Sequence, residues 1–176
     1  MAEEKTEGGY TEHKELSKDR NHLAFAVLTM SDTRDEETDK SGKIIKELLL
    51  GQGHRVVHYR VVKENPEHIR REISACIQNT EVAVIITNGG TGVAKRDGTF
   101  EVVSSLLDKP LTGFGEIFRY LSYDDIGSGA MMSRATAGIV GNKVLFAIPG
   151  SSGAVRLAME KLILLEAGHL YWEITK

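Results

Sequence analysis

Two stretches of the chain, LAFAVLTM over residues 23–30 and VAVIIT over residues 82–87, are apolar at nearly every position. A strand with one wetted face alternates apolar and polar side chains, so uninterrupted runs of this length demand cover on both faces. The intervening sequence supplies that cover. KIIKELLLGQG sets Ile44, Ile45, Leu48 and Leu49 at helical spacing before a glycine stop. HRVVHYRVV, residues 54–62, is β-branched and strand-like, and Pro66 opens a helix whose apolar stripe is Ile69, Ile73, Cys76 and Ile77. VAVIIT is the most continuous run and belongs at the centre of the sheet. Strand alternating with helix predicts an open α/β sheet, in three layers, with helices on both faces.

The pattern continues beyond residue 98. Phe100, Val103, Leu106 and Leu107 suit a short helix stopped by Asp108 and Pro110. GEIFRYLSYDDIG and the stretch through Ser133 and Arg134 read as one or two further helices with a loop. TAGIV and KVLFAIPG flank Gly141-Asn142, a two-residue hairpin turn in which both residue types tolerate positive φ. The sheet is therefore expected to be mixed, mostly parallel with an antiparallel edge. A long amphipathic helix, AVRLAMEKLILLEAGHL, follows PGSS and suits one sheet face.

A chain of 176 residues is most simply one domain with a substantial core. Residues 1–20 carry six acidic and four basic side chains and almost no large apolar ones, too few to offset the entropy of ordering. The expected division is a charged arm over 1–21 and one α/β domain over 22–176. The formal charge of −3 gives no general attraction to nucleic acid or to anionic lipid. The single cysteine, Cys76, rules out a disulfide framework, and no apolar segment has the length of a bilayer span. A cytoplasmic protein is expected.

Ligands of parallel α/β sheets bind beyond the carboxyl ends of the strands. Four segments fit that position: SDTRDEETDKSG, VKENPE, NGGTGVAKRDGT and IPGSSG. In the third, Gly89, Gly90 and Gly92 let successive amides turn inward around a phosphate. A helix starting near Thr99 adds its own N-terminal amides. Lys95 and Arg96 offer positive charge, and Asp97 offers an oxygen ligand to magnesium bridging phosphates. Spacing alone fits a tight strand-to-helix connection too. No Gly-Lys-Ser/Thr closes a P-loop, and Lys95 stands where a dinucleotide fingerprint has its third glycine. In IPGSSG, Ser151 or Ser152 caps the last helix. Asp32, Asp39 and Ser41 read alone as loop acids and a helix cap, and Glu64 as a solvated charge. The histidines form no HExxH pair, and no Gly-x-Ser-x-Gly elbow is present.

Taken together, the ordered blocks VLTMSDT, DKSG, VVKENPEHIR, GGTG with RD four residues on, GFGEIFRYLS, MSRATAGI and IPGS resemble the MoaB/MogA family of molybdenum cofactor biosynthesis. Relatives of that family include the plant and animal molybdopterin adenylyltransferase domains. The resemblance spans roughly residues 22–170, and VKEN with GFGEIFR followed by LS looks more like MoaB than MogA. It implies a three-layer α/β/α fold and magnesium-dependent transfer of AMP from ATP to the terminal phosphate of molybdopterin, releasing pyrophosphate. It also implies a homotrimer or, as in MoaB types, a homohexamer built as a dimer of trimers, with a downstream metal-insertion protein as a further partner.

Carried over residue by residue, the resemblance makes Asp97 the essential aspartate after GGTG and a magnesium ligand, with Glu64 a second catalytic acid where MogA types have aspartate. It matches Gly89, Gly90, Thr91, Gly92 and Arg96 to the substrate loop, and Asp32, Asp39, Ser41, Ser133, Arg134, Gly150 and Ser151 to other pocket positions. Three positions depart from the family pattern: Asn88 before the glycines, Phe100 in place of a proline, and Glu64, longer by one methylene than an aspartate. The alternative function is a non-catalytic molybdopterin-binding or scaffolding oligomer of the same family.

Overall fold

The computed structural model describes residues 22–95 and 97–176; the charged arm over 1–21 and Arg96 lie outside the described residues. Six strands are present among the described residues: β1 (Ala24–Met30), β2 (Arg55–Val62), β3 (Val84–Asn88), β4 (Lys109–Pro110), β5 (Thr136–Val140) and β6 (Lys143–Ile148). They form one sheet in the order β2-β1-β3-β6-β5-β4. The first four of these run parallel, while β5 pairs antiparallel with β6 and with β4. The mixed sheet and the central place of the VAVIIT strand agree with the sequence reading.

The helices are α1 (Lys40–Gly51), α2 (Pro66–Gln78), α3 (Thr99–Leu106), α4 (Thr112–Ile126), α5 (Ser152–Ala158) and α6 (Leu164–Thr175). A π-helical turn, Met159–Ile163, joins the last two into one rod, and a 3₁₀ turn, Gly127–Met132, follows α4. The apolar strands are dry on both sides because alternate residues serve two cores. Phe25, Val27, Val84, Ile86, Val144 and Phe146 pack with Ile45 and Leu49 of α1, Phe118 of α4 and Val155 of α5. Ala26, Leu28, Ile85, Leu145 and Ala147 pack with Ile69, Ile73 and Cys76 of α2 and Val103 of α3. The period-2 alternation of a strand is thus hidden in the sequence, since both faces ask for apolar side chains.

Local differences from the sequence reading have simple causes. The helix after β1 begins at Lys40, capped by Asp39 rather than Ser41, because the Asp39 carboxylate accepts the Gly42 amide. Helix α3 ends at Leu106, and Lys109–Pro110 pairs as a two-residue edge strand, where the missing proline N–H costs no ladder bond. In the hairpin turn, only Gly141 has positive φ, at 56°. That is the pattern of a turn with glycine at its first central position, so Asn142 does not adopt the left-handed conformation.

Candidate ligand site at the strand ends

From β1 the chain leaves through α1 on one face toward β2, and from β3 it leaves through α3 on the opposite face toward the other half of the sheet. The gap between the carboxyl ends of β1 and β3 is therefore a topological switch point, where diverging loops open a crevice. Loops 31–39, 63–65, 89–98 and 149–151 all lie at this end.

Gly89 and Gly90 turn the chain at φ 95° and 65°, values that a residue with a Cβ adopts only under strain. Packing forbids a side chain there as well. A Cβ on Gly89 would stand 2.5 Å from the Met30 carbonyl oxygen, and one on Gly90 would stand within van der Waals overlap of the Thr99 hydroxyl. The Gly89 amide donates to Ile148 O at 2.9 Å and Thr99 N donates to Gly90 O at 3.0 Å, fixing the turn to β6 and to the start of α3. Thr91 beside it is buried. The Thr99 hydroxyl is fully buried and has no hydrogen-bond partner among the described residues. A buried hydroxyl without a partner costs roughly 1–3 kcal/mol, so it marks a place where a ligand group would be welcome.

Asp97 closes the loop on itself: its Oδ2 accepts the Ala94 amide at 2.9 Å, and Gly92 leaves room for the carboxylate, since a Cβ there would lie 2.6 Å from the same oxygen. Arg134 holds this loop from outside. Its Nε donates to Gly92 O at 2.9 Å and its Nη2 to Asp97 O at 3.0 Å, while its Nη1 pairs with Glu101. The guanidinium also lies over the Phe100 ring, 5.0 Å from the centroid. The hydrogen bond from Arg134 holds the Glu101 carboxyl below its ordinary range. Arg134 is thus a positioning residue for the loop carbonyls, and its planar fork is what the geometry uses.

Two clefts meet at Arg134. One, of about 430 Å³, is lined by Lys95, Asp97, Gly98 and Glu101 together with Pro66 and Val93. The other, of about 440 Å³, is lined by Phe100, Arg119, Ser133 and Thr136 among others. Ser133 therefore belongs to the second cleft, where Arg119 donates to its carbonyl oxygen at 3.4 Å. Asp32 and Glu64 come together across two loops, Asp32 Oδ1 accepting the Glu64 amide at 3.0 Å. Gly150 packs on the glycine turn, as a Cβ there would stand 3.2 Å from Gly89 Cα. Ser151 caps α5 by accepting the Ala154 amide at 3.3 Å.

Asp39 and Ser41 sit deeper. Asp39 is fully buried; its Oδ1 accepts Ser41 Oγ and Gly42 N, both at 2.9 Å, and its Oδ2 accepts Thr29 Oγ1 at 2.5 Å and Tyr59 OH at 2.8 Å. Burial pushes the Asp39 carboxyl upward, but the bonds from Gly42, Thr29, Tyr59 and Ser41 outweigh it, and the net shift is downward. The same carboxylate, with burial as the larger cause, drives the Tyr59 phenol far above its ordinary value. Thr29, Tyr59, Thr99 and Glu101 were not legible as site residues. The signal available for Thr29 was a polar residue at the end of an otherwise apolar strand.

A positive-φ glycine turn, helix-terminal amides and a loop aspartate at the switch point put the chain in the class of open α/β proteins whose ligand crevice lies beyond the carboxyl ends of the strands. Residues 26–168 match the family model described as a probable molybdopterin binding domain, and the chain belongs to that family. Molybdenum cofactor biosynthesis protein B of Bacillus cereus is 53% identical over 165 residues, covering 93% of this chain and 96% of that relative. A crystal structure of a molybdenum cofactor biosynthesis protein B superposes with a TM-score of 0.85 at 55% identity, covering 87% of this chain and 96% of that one. The tungsten cofactor synthesizing protein MoaB from Pyrococcus furiosus superposes at 0.80 with 35% identity, covering 88% and 98%. The chain is therefore a MoaB-like member of the family with a role in molybdenum cofactor biosynthesis.

Proposed function

We propose that the protein adenylylates molybdopterin, transferring AMP from ATP to the terminal phosphate of molybdopterin and releasing pyrophosphate. The observation that carries this reading is the Gly89–Gly90 turn facing the unpartnered Thr99 hydroxyl, with Asp97 on the same loop, in a chain of this family. A phosphate oxygen of the pterin attacks the α-phosphorus, the bond to the pyrophosphate oxygen breaks, and no side chain need form a covalent intermediate. The chain contributes alignment and charge stabilisation: amides of the turn after Gly89 and of α3 after Thr99, those two being already bonded within the fold, hold phosphate oxygens, Lys95 and Arg96 add positive charge, and Arg134 keeps the loop in shape.

Among the described residues no three His, Cys, Asp or Glu side chains cluster as a resident metal cage. The site fits magnesium that arrives with the nucleotide, a form in which one or two carboxylates suffice and phosphates complete the coordination. Asp97 would hold it through the oxygen not bonded to Ala94, with Glu64 as the second acid; the ion screens the charge of the triphosphate. The chain acts in the cytoplasm as a homotrimer or homohexamer. Ile117, Tyr120, Tyr123 and Ile126 on α4 and Met131 in the following turn support assembly, being large, apolar and exposed.

A second reading, a molybdopterin-binding scaffold without turnover, is favoured by one contact: Asp97 already serves its own loop through Ala94. Pyrophosphate release from ATP and magnesium, with and without molybdopterin, separates the two. Under the first reading release requires the pterin and falls about a hundredfold in Asp97→Ala, the scale of losing one preorganised electrostatic partner. Pterin binding without pyrophosphate selects the scaffold.

A further inference from the structure

We infer that Asn88 reads the ligand, presenting Oδ1 as a hydrogen-bond acceptor for an N–H or O–H group of the molecule held against the Gly89–Gly150 contact. The inference deepens the proposed function and rests on it, since it assigns a specificity-determining residue to that same site.

The orientation of the Asn88 amide follows from what its neighbours are able to donate. The Asp39 carboxylate is ionised and accepts only, so Thr29, 2.5 Å from Oδ2, must donate its hydroxyl proton to it. The Thr29 oxygen is then an acceptor, and Asn88 meets it with Nδ2 at 2.8 Å. The second Nδ2 proton points to Leu28 O, an acceptor without alternatives, at 3.5 Å. Both neighbours therefore demand the nitrogen on the β1 side, and the oxygen is left on the other side. Asn88 Oδ1 is buried and has no partner among the described residues. The glycines of two loops adjoin it: a Cβ built on Gly150 would lie 3.9 Å from this oxygen and 3.2 Å from Gly89 Cα.

A phosphate near neutral pH, with a charge of about −1.5 to −2, offers mainly acceptor oxygens and satisfies this atom poorly. The complementary ligand group is a donor: an exocyclic amine or ring N–H of a heterocycle, or a sugar hydroxyl. The nest thus takes phosphate through its amides, while Asn88 selects what the phosphate is attached to. A donor site of this kind discriminates strongly against a ligand lacking the donor, because a buried group is then left unpaired. ATP and molybdopterin both carry such donors, and the chain Asp39–Thr29–Asn88 fixes the preference without touching the ligand itself.

The test is the dissociation constant of magnesium–ATP and of molybdopterin, each measured alone by calorimetry, for the full chain and for Asn88→Leu, a near-isostere without polar atoms. The expected result is a loss of about tenfold or more for one of the two ligands and little change for the other, which identifies the source of the donor. Thr29→Val is the second variant. It removes the acceptor that orients the amide, so the same ligand should weaken although Thr29 does not contact it. If ATP is the affected ligand, its analogues lacking the 2′-hydroxyl, the 3′-hydroxyl or the 6-amino group reproduce the loss in the unaltered protein, one of them alone. Unchanged affinities in Asn88→Leu, or an equal loss for both ligands accompanied by a lowered melting temperature, would overturn the assignment. An unaltered protein that binds neither ligand overturns the functional reading along with it, whereas pterin-dependent pyrophosphate release that Asn88→Leu leaves untouched refutes this inference alone.

Discussion

Replacing Asp39 by asparagine removes one charge and changes almost no volume, so it isolates what the buried carboxylate does. The Gly42 amide is fixed in direction and must keep an acceptor, which places the amide oxygen of the variant where Oδ1 stood. The new NH₂ then faces Thr29 and Tyr59. Tyr59 is half-buried and its hydroxyl can turn, but Thr29 is buried and already accepts from Asn88, so its proton loses the acceptor it has among the described residues. One charge-assisted bond at ~1.5–3 kcal/mol and a weakened second one give a destabilisation of about 3 kcal/mol. For a chain of this size that is a fall in Tm of about 6–12 °C. The pH dependence has a definite sign. The folded value of Asp39 lies below its unfolded value, so its contribution is complete above the ordinary aspartate range and is lost as pH falls through the folded value. Urea unfolding at pH 7 and at steps down to pH 3 should show the gap between the two proteins narrowing on acidification. A gap under about 0.5 kcal/mol at pH 7, the level of an ordinary surface change, or one that widens with acid, would refute the network argument.

Three further outcomes follow from the site and core. Gly89→Ala meets both a left-handed φ and the Met30 carbonyl, and should cost about 2 kcal/mol or more, read by thermal melting, with loss of ligand affinity. Arg134→Lys keeps the charge but not the fork that holds the Gly92 and Asp97 carbonyls, so hydrogen exchange of the Ala94 and Asp97 amides, which are bonded within that loop, should quicken by about tenfold or more. Burial pushes the Cys76 thiol up to about 12, so a thiol reagent should react with it only at the rate of unfolding or in denaturant; fast labelling of the native protein would contradict its placement in the core.

The strands, the helices and the gathering of the glycine-bearing loops at one end of the sheet were legible in the chain because each rests on local facts. Apolar runs such as VAVIIT identify strands covered twice, Pro66 starts a helix through its fixed φ, and consecutive glycines identify a turn no other residue permits. The resemblance of ordered blocks carried the family. The roles of the polar residues were not legible, because they depend on partners distant in sequence. Asp39 looked like a loop acid, yet Thr29 from β1 and Tyr59 from β2 make it a buried anchor. Arg134 was matched only to a pocket position, yet its fork closes on carbonyls about forty residues earlier. Asn88 stood out only as a departure from a pattern, until strand pairing placed it opposite Thr29 and fixed which atom it presents. Propensity and periodicity act along the chain and are written in it. The direction of a hydrogen bond is decided by whichever donor or acceptor the sheet brings alongside, and only the assembled fold contains that neighbour.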